Sequence, residues 1–325
     1  MRHRLSISLA GLACVALALL LLLAVYVPYR VLHPPHAPIT RTPDEVGLEY
    51  QDVRLEATDG TGMRAAWWMP AADARAAVVF VHGGGSNRHT PYFRALGFYR
   101  AMVERNIAVL TLDLRGHGAS SPGPEPIRFG AGAEADLHAG LAWVRARHPE
   151  LPLYAMGISL GGSVAIRAAL TLGEEELQGL ILHDPLLDTR SAFVGGAHAV
   201  SALPRSLLEI SALSAQRFFG FPSGEREALA LGRQLALPTL LIQSPGDPVN
   251  LAVHAQALAE GHPDIELWLT PEVAADHPKL AWKAGWGSHV GAFELFPEAT
   301  LARIQAFVER TRPAETGSPS EAPGP

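Results

Sequence analysis

Ser159 stands between two glycines in Gly157-Ile158-Ser159-Leu160-Gly161, with an apolar run before it (LPLYAM, 151–156) and a helix-forming run after it. That arrangement suits a nucleophile on a tight strand-to-helix turn. Glycine at positions −2 and +2 keeps side chains out of a crowded turn. The helix that follows presents backbone N–H groups and a positive dipole end to developing negative charge. A glycine-rich turn with an incidental serine would share the five-residue pattern, but not the strand before and the helix after.

A serine nucleophile needs a base, and the base needs an orienting carboxylate. The chain has 14 histidines, so position must decide. Only His277 and His289 fall after the last expected strand and before the final expected helix. His277 precedes a proline in a polar stretch; His289 sits in GWGSHVGAF, a loop flanked by glycines that opens a helix. His289 is the expected base. Asp247, in SPGDPVN after the apolar run LPTLLIQS, is the expected acid. Asp184, which ends LILHD, is the second candidate. Asp264 precedes its strand and should lie at the opposite edge, and Asp276 is less constrained. For an oxyanion the expected donors are the N–H of Leu160 and that of Gly84, with Gly83 as the alternative; both glycines belong to His82-Gly83-Gly84-Gly85. His82 is read as supporting this loop.

These residues must be positioned by the elements around them. LEYQDVRLEAT and MRAAWWMP read as an opening antiparallel pair with a turn at Asp59-Gly60. After them, apolar strand-like runs (AAVVFV, IAVLTL, LPLYAM, LQGLIL, LPTLLI, IELWLT) alternate with helix-like stretches. This is the pattern of an α/β fold with a mostly parallel sheet and helices on both faces, in which function collects at the carboxyl ends of the strands. Residues 185–236 far exceed a usual connection of ~4–6 residues and read as a lid insert over that edge.

Residues 5–27 carry no charge. As a helix they extend roughly 34 Å, enough for a ~30 Å hydrocarbon core. The run is longer than a signal-peptide core and lacks a small-residue cleavage site, so 1–27 reads as a single-pass anchor rather than a cleaved signal. Arg2 and Arg4 before it place the bulk of the chain on the extracytoplasmic side. Residues 28–45 are proline-rich and read as an extended stalk; 46–312 form the catalytic domain; 313–325 read as a disordered tail.

Composition narrows the chemistry. With one cysteine, Cys14, no disulfide within the chain and no Cys-based zinc site can form. Neither HExxH nor GxxxxGK[ST] occurs. The net charge is −6, with no basic stripe, which argues against a nucleic-acid partner. No metal or organic cofactor is called for.

Taken together, VVFVHGGG, LDLRGHGAS, GISLGG, PTLLIQSPGDPVN and GSHVGAF resemble, in content and order, the α/β-hydrolase superfamily, close to bacterial serine hydrolases of the esterase and serine-aminopeptidase-like kind. The resemblance covers roughly residues 46–312. It implies an α/β-hydrolase fold, Ser159 as nucleophile, Asp247 as acid, His289 as base, and Gly84 with Leu160 as oxyanion donors; the segment Asp113–Ser120 matches a structural one. The family often has glycine three residues before the acid, where this chain has Ser244. The expected activity is hydrolysis of a small-molecule carboxylic ester through an acyl-enzyme. Peptidase, thioesterase, lipid-deacylase and acyltransferase activities share the same triad, and a non-catalytic binding protein shares the fold. Dehalogenation would need a carboxylate in place of Ser159.

Overall fold

The run AAVVFV at 76–81 is apolar at every position because both of its faces are covered, as in the central strands of a parallel sheet. Alternate residues point to opposite sides. Ala77, Val79 and Val81 join one hydrophobic cluster, and Ala76, Val78 and Phe80 join the other. The computed structural model describes residues 2–35, 37–121, 126–172 and 176–313. Of the tail expected at 313–325, residues 314–325 lie outside the described residues.

The chain opens with α1 (Arg2–Leu21), a π turn (Leu22–Tyr26) and α2 (Val27–Leu32). The antiparallel pair β1 (Gln51–Glu56) and β2 (Met63–Met69) follows, then β3 (Ala76–Val81), α3 (Ala95–Val103), β4 (Ile107–Leu112), α4 (Glu134–Arg147), β5 (Leu153–Ile158) and α5 (Leu160–Ala169). After β6 (Gly179–His183) the chain forms α6 (Thr189–Ser201), α7 (Arg205–Phe218) and α8 (Ala228–Gly232). It ends with β7 (Thr239–Gln243), α9 (Ala252–Ala259), β8 (Ile265–Leu269), α10 (Ala292–Leu295) and α11 (Pro297–Thr311). The strands form one sheet in the order β1-β2-β4-β3-β5-β6-β7-β8, with every pairing parallel except β1–β2 and β2–β4. One cluster packs α4, α5 and the 185–236 segment on one face, and the other packs α3 and α11 on the opposite face. This is the α/β-hydrolase fold.

The 185–236 segment crosses the carboxyl edge of the sheet. α6 lies so close to the loops there that a Cβ on Gly195 would come within 2.7 Å of the Pro248 carbonyl, and one on Gly285 within 2.6 Å of the Ala199 carbonyl. Phe193 and Phe221 pack together at 5.6 Å, and Phe221 meets Phe129 of the domain at 4.5 Å. Phe218, by contrast, is exposed.

The stretch 28–45 departs from an extended stalk. Its first part continues the helix to Leu32, with Pro28 and Leu32 buried. The chain beyond lies on the domain: Asn87 Nδ2 donates to the Ala37 carbonyl at 2.8 Å, and Thr42 and Glu45 form a capping box for the short turn Pro43–Val46.

Candidate active site

The glycines around Ser159 are explained by contacts. A Cβ on Gly157 would lie 2.2 Å from the Gly161 carbonyl oxygen, and one on Gly161 would lie 2.3 Å from the Val81 carbonyl oxygen. The turn therefore packs backbone against backbone, and against the end of β3. Ser159 itself is held at φ +51° and ψ −120°. Such a conformation costs of order 1–3 kcal/mol in a residue with a side chain. Backbone bonds hold it: Ser159 N–H donates to the His183 carbonyl at 3.1 Å, and the Ser159 carbonyl accepts from Gly162 and Leu186 at 3.0 and 2.9 Å. The hydroxyl is thereby fixed at the carboxyl edge of β5 and at the N-terminus of α5.

His289 Nε2 lies 3.0 Å from Ser159 Oγ, and His289 Nδ1 lies 2.8 Å from Asp247 Oδ2. Both His289 and Asp247 are buried. An ionised Asp247 only accepts, so Nδ1 carries the proton and Nε2 is left to accept from the serine hydroxyl. The other Asp247 oxygen accepts from the N–H groups of Val249 and Asn250 at 2.7 and 3.0 Å, which fixes the carboxylate. His277, Asp264 and Asp276 take no part in this arrangement; His277 Nδ1 instead accepts from Lys279 N–H at 3.2 Å.

The loop after β3 lies against the same turn. A Cβ on Gly83 would approach Ser159 Cβ to 3.2 Å, and one on Gly84 would approach Leu160 Cδ1 to 3.4 Å. His82 fastens this loop: its Nδ1 donates to the Gly83 carbonyl at 2.7 Å, and its Nε2 accepts from Leu114 N–H at 3.1 Å. Burial pushes the His82 imidazole down to about 4, so it stays neutral and keeps both bonds. Asp113 holds the neighbouring LRGHGAS segment, accepting from the N–H groups of Arg88 and Ala119 at 2.7 and 2.8 Å and pairing with the Arg88 guanidinium.

Two further residues shape the site. Asp184, at the end of β6, is not the carboxylate on His289. It accepts from Ser244 N–H at 2.6 Å, from Ser244 Oγ at 3.1 Å and from Val290 N–H at 2.7 Å. Burial, together with the nearby Asp247 charge, pushes the Asp184 carboxyl above the usual carboxylate range. Ser244 Oγ also lies 3.2 Å from the Ser288 carbonyl. Lys283, fully buried, donates from Nζ to the His289 carbonyl. Burial lowers its ammonium to about 8. Sequence reasoning passed over Lys283, although a signal existed: the chain's two lysines, Lys279 and Lys283, both lie just before His289 in an otherwise arginine-based chain.

Asp184, Asp247 and His289 bring potential ligand atoms within 4.8 Å of one another. Their lone pairs are directed at N–H groups of Ser244, Val290, Val249, Asn250 and the imidazole itself, a hydrogen-bonded arrangement rather than a set of free ligands.

A cavity of about 360 Å³ opens beside Leu160, walled by Leu114, Ile127 and Ala131, with Arg115 and His117 at its polar side. Among the described residues, no carboxylate lines it.

Comparison with known proteins agrees with this architecture. A family profile described as "Serine aminopeptidase, S33" matches residues 72–219. A putative monoglyceride lipase of Schizosaccharomyces pombe is 35% identical over 126 residues, 37% of this chain and 32% of that protein. The monoglyceride lipase of Rattus norvegicus is 30% identical over 149 residues, 45% of this chain and 46% of that protein. The chain thus spans less than half of the length of these two curated relatives. Among solved structures, an esterase of Pyrococcus furiosus superposes with a TM-score of 0.69 at 24% identity, covering 86% of this chain and 98% of that one. A serine hydrolase of Xanthomonas campestris, described as lacking a lid, superposes with a TM-score of 0.52 at 20% identity, covering 82% and 96%. The strand order, the turn at Ser159 and the likeness to these solved structures agree on one point: the chain has the α/β-hydrolase fold.

Proposed function

We propose that the chain is a serine hydrolase that cleaves carboxylic esters through an acyl-enzyme. The observation that carries this reading is the continuous line from Ser159 Oγ through His289 to Asp247, at 3.0 and 2.8 Å. In this reading His289 Nε2 takes the Ser159 proton as Oγ attacks the ester carbonyl. Asp247 holds the imidazole in the required tautomer and stabilises the imidazolium. The N–H groups of Gly84 and Leu160 receive the oxyanion, each worth ~2.7–4 kcal/mol in the transition state. The imidazolium then protonates the leaving alkoxide, and water, deprotonated by the same histidine, releases the acid.

The relatives named as monoglyceride lipases and esterases support an ester with an apolar acyl group, and so does the apolar wall of the cavity beside Leu160. The family description names an aminopeptidase, which is the second reading. A free α-amino group would call for a carboxylate, and the described residues of the cavity offer Arg115 and His117 instead. The helix Ala10–Leu32 is long and apolar enough to cross a membrane, with a mean hydropathy of 2.7. We read it as a single-pass anchor, with the hydrolase domain on the extracytoplasmic side. A fluorophosphonate probe tests the central claim: it should label the full-length protein at Ser159 and abolish ester hydrolysis. Labelling or turnover that survives Ser159→Ala would remove the proposed mechanism.

A further inference from the structure

Pro28 has no N–H, so the carbonyl of Ala24, four residues earlier, lacks its α-helical donor. The helix responds with the π turn Leu22–Tyr26 just before the proline. The Ala24 oxygen is not left unpaired: the hydroxyl of Ser214, on α7 of the lid, donates to it. Around this bond Leu23, Pro28 and Leu32 are buried. The apolar helix and the lid are therefore joined at one defined carbonyl. Within a membrane such a join has particular value, because a freed carbonyl there finds no water.

The residues one turn to either side of Ser214 on α7 are Ile210 and Phe218, and residues four apart share a helix face. Both are exposed, at 42% and 74%, and Leu213 beside Ser214 is 52% exposed. Apolar side chains thus stand free on both sides of the crossing. Their depth follows from the partner: Ala24 lies inside the apolar span Ala10–Leu32. Tyr26, Tyr29 and Arg30, all exposed, lie in the last turns of that span, the residue types that settle at a membrane–water interface. Arg217 lies over the Phe218 ring at 5.3 Å, a charge on a flexible stem that can reach lipid headgroups. The C-terminal end of the apolar helix meets the site, since the Leu32 carbonyl accepts from Ile127 N–H at 2.8 Å and Ile127 walls the cavity beside Leu160.

We propose that lid helix α7 is seated in the interfacial layer of the bilayer spanned by Ala10–Leu32, with Ile210, Leu213 and Phe218 among lipid and the Ser214–Ala24 bond fixing it there. This rests on reading Ala10–Leu32 as a membrane span, and the test separates the two. Full-length protein is placed in phosphatidylcholine–phosphatidylglycerol nanodiscs at one copy per disc, with a nitrobenzoxadiazole label at a single cysteine. Three sites are compared: native Cys14, and, in a Cys14→Ser background, Phe218→Cys on α7 and Glu298→Cys on α11, whose side chain is 86% exposed. Emission is read with and without lipids carrying a nitroxide quencher near the headgroup.

The expected result is blue-shifted emission at positions 14 and 218, and quenching at 218 several-fold stronger than at 298. Ser214→Ala should move the emission at 218 back towards that at 298, and Pro28→Ala, which returns an N–H to the Ala24 carbonyl, should leave little further effect of Ser214→Ala. Lipid exposure at 14 but not at 218 overturns the seating of α7 alone. Water exposure at 14 overturns the span as well. Protection at 218 that appears only at two copies per disc shows that a second copy covers α7, and overturns the proposal.

Discussion

Val290 N–H and Ser244 N–H donate to the two oxygens of one buried carboxylate, Asp184, at 2.7 and 2.6 Å. The loop that carries Asp247 and the loop that carries His289 are thereby tied to the end of β6. Asp184→Asn keeps one oxygen but turns an amide N–H₂ towards one of these donors. A buried N–H left unpaired costs about 1–3 kcal/mol. The variant should lose stability in this range and part of its kcat, measured by denaturant unfolding and ester hydrolysis.

Asp247→Asn should cost far more activity, roughly 10⁴ in kcat on the serine-protease precedent, because the histidine tautomer is no longer enforced. Steady-state kinetics of the two asparagine variants side by side check the ranking. A larger loss at Asp184 would transfer the role of acid to β6.

Ser159→Ala should abolish turnover and probe labelling while leaving the melting temperature close to wild type. Ser159→Gly should be equally inactive but more stable than Ser159→Ala. The reason is the φ of +51°, which glycine adopts without a Cβ penalty. Calorimetry of the two variants reads the difference directly.

Gly161→Ala should destabilise by about 3 kcal/mol or more, or prevent folding, because its Cβ would fall 2.3 Å from the Val81 carbonyl oxygen, an extreme case of overpacking. Gly132→Ala is the control. It meets nothing within 4 Å, but its φ of +84° still carries strain, so its cost should be the smaller. Expression yield and urea midpoints distinguish them.

Lys283 supplies a pH signature. Its ammonium is lowered by burial to about 8, from 10.5 in the unfolded chain. Between these values the unfolded state binds more protons than the folded one, so the lysine makes stability rise with pH across roughly pH 8 to 10.5. Lys283→Met should flatten that rise. It should also lower kcat, since the His289 carbonyl loses its donor. Unfolding free energies at several alkaline pH values, compared between wild type and variant, provide the check.

Across p-nitrophenyl esters of increasing chain length, kcat/KM should climb by up to roughly fourfold per methylene, from ~0.8 kcal/mol each, then fall when the cavity beside Leu160 is full. A preference for amino-acid amides with a free α-amine would favour the aminopeptidase reading.

The sequence alone determined what depends on near neighbours in the chain. The apolar runs that must be buried on both faces, the glycines at 157 and 161 and the order of strands and helices follow from packing rules that act over a few residues. For the same reason Ser159, Asp247 and His289 could be singled out: each closes or follows a strand, so each falls at one sheet edge. Tertiary structure decided what depends on distance between remote segments. Asp184 and Asp247 both follow apolar strands, and only the fold shows that Asp247 meets the imidazole while Asp184 meets Ser244 and Val290. Ser244, where the family often has glycine, gains its meaning only from an aspartate 60 positions earlier. The proline-rich stretch after the apolar helix looks extended because proline disfavours helix interiors. It is helical to Leu32, and a serine 190 positions away satisfies the carbonyl that Pro28 leaves open.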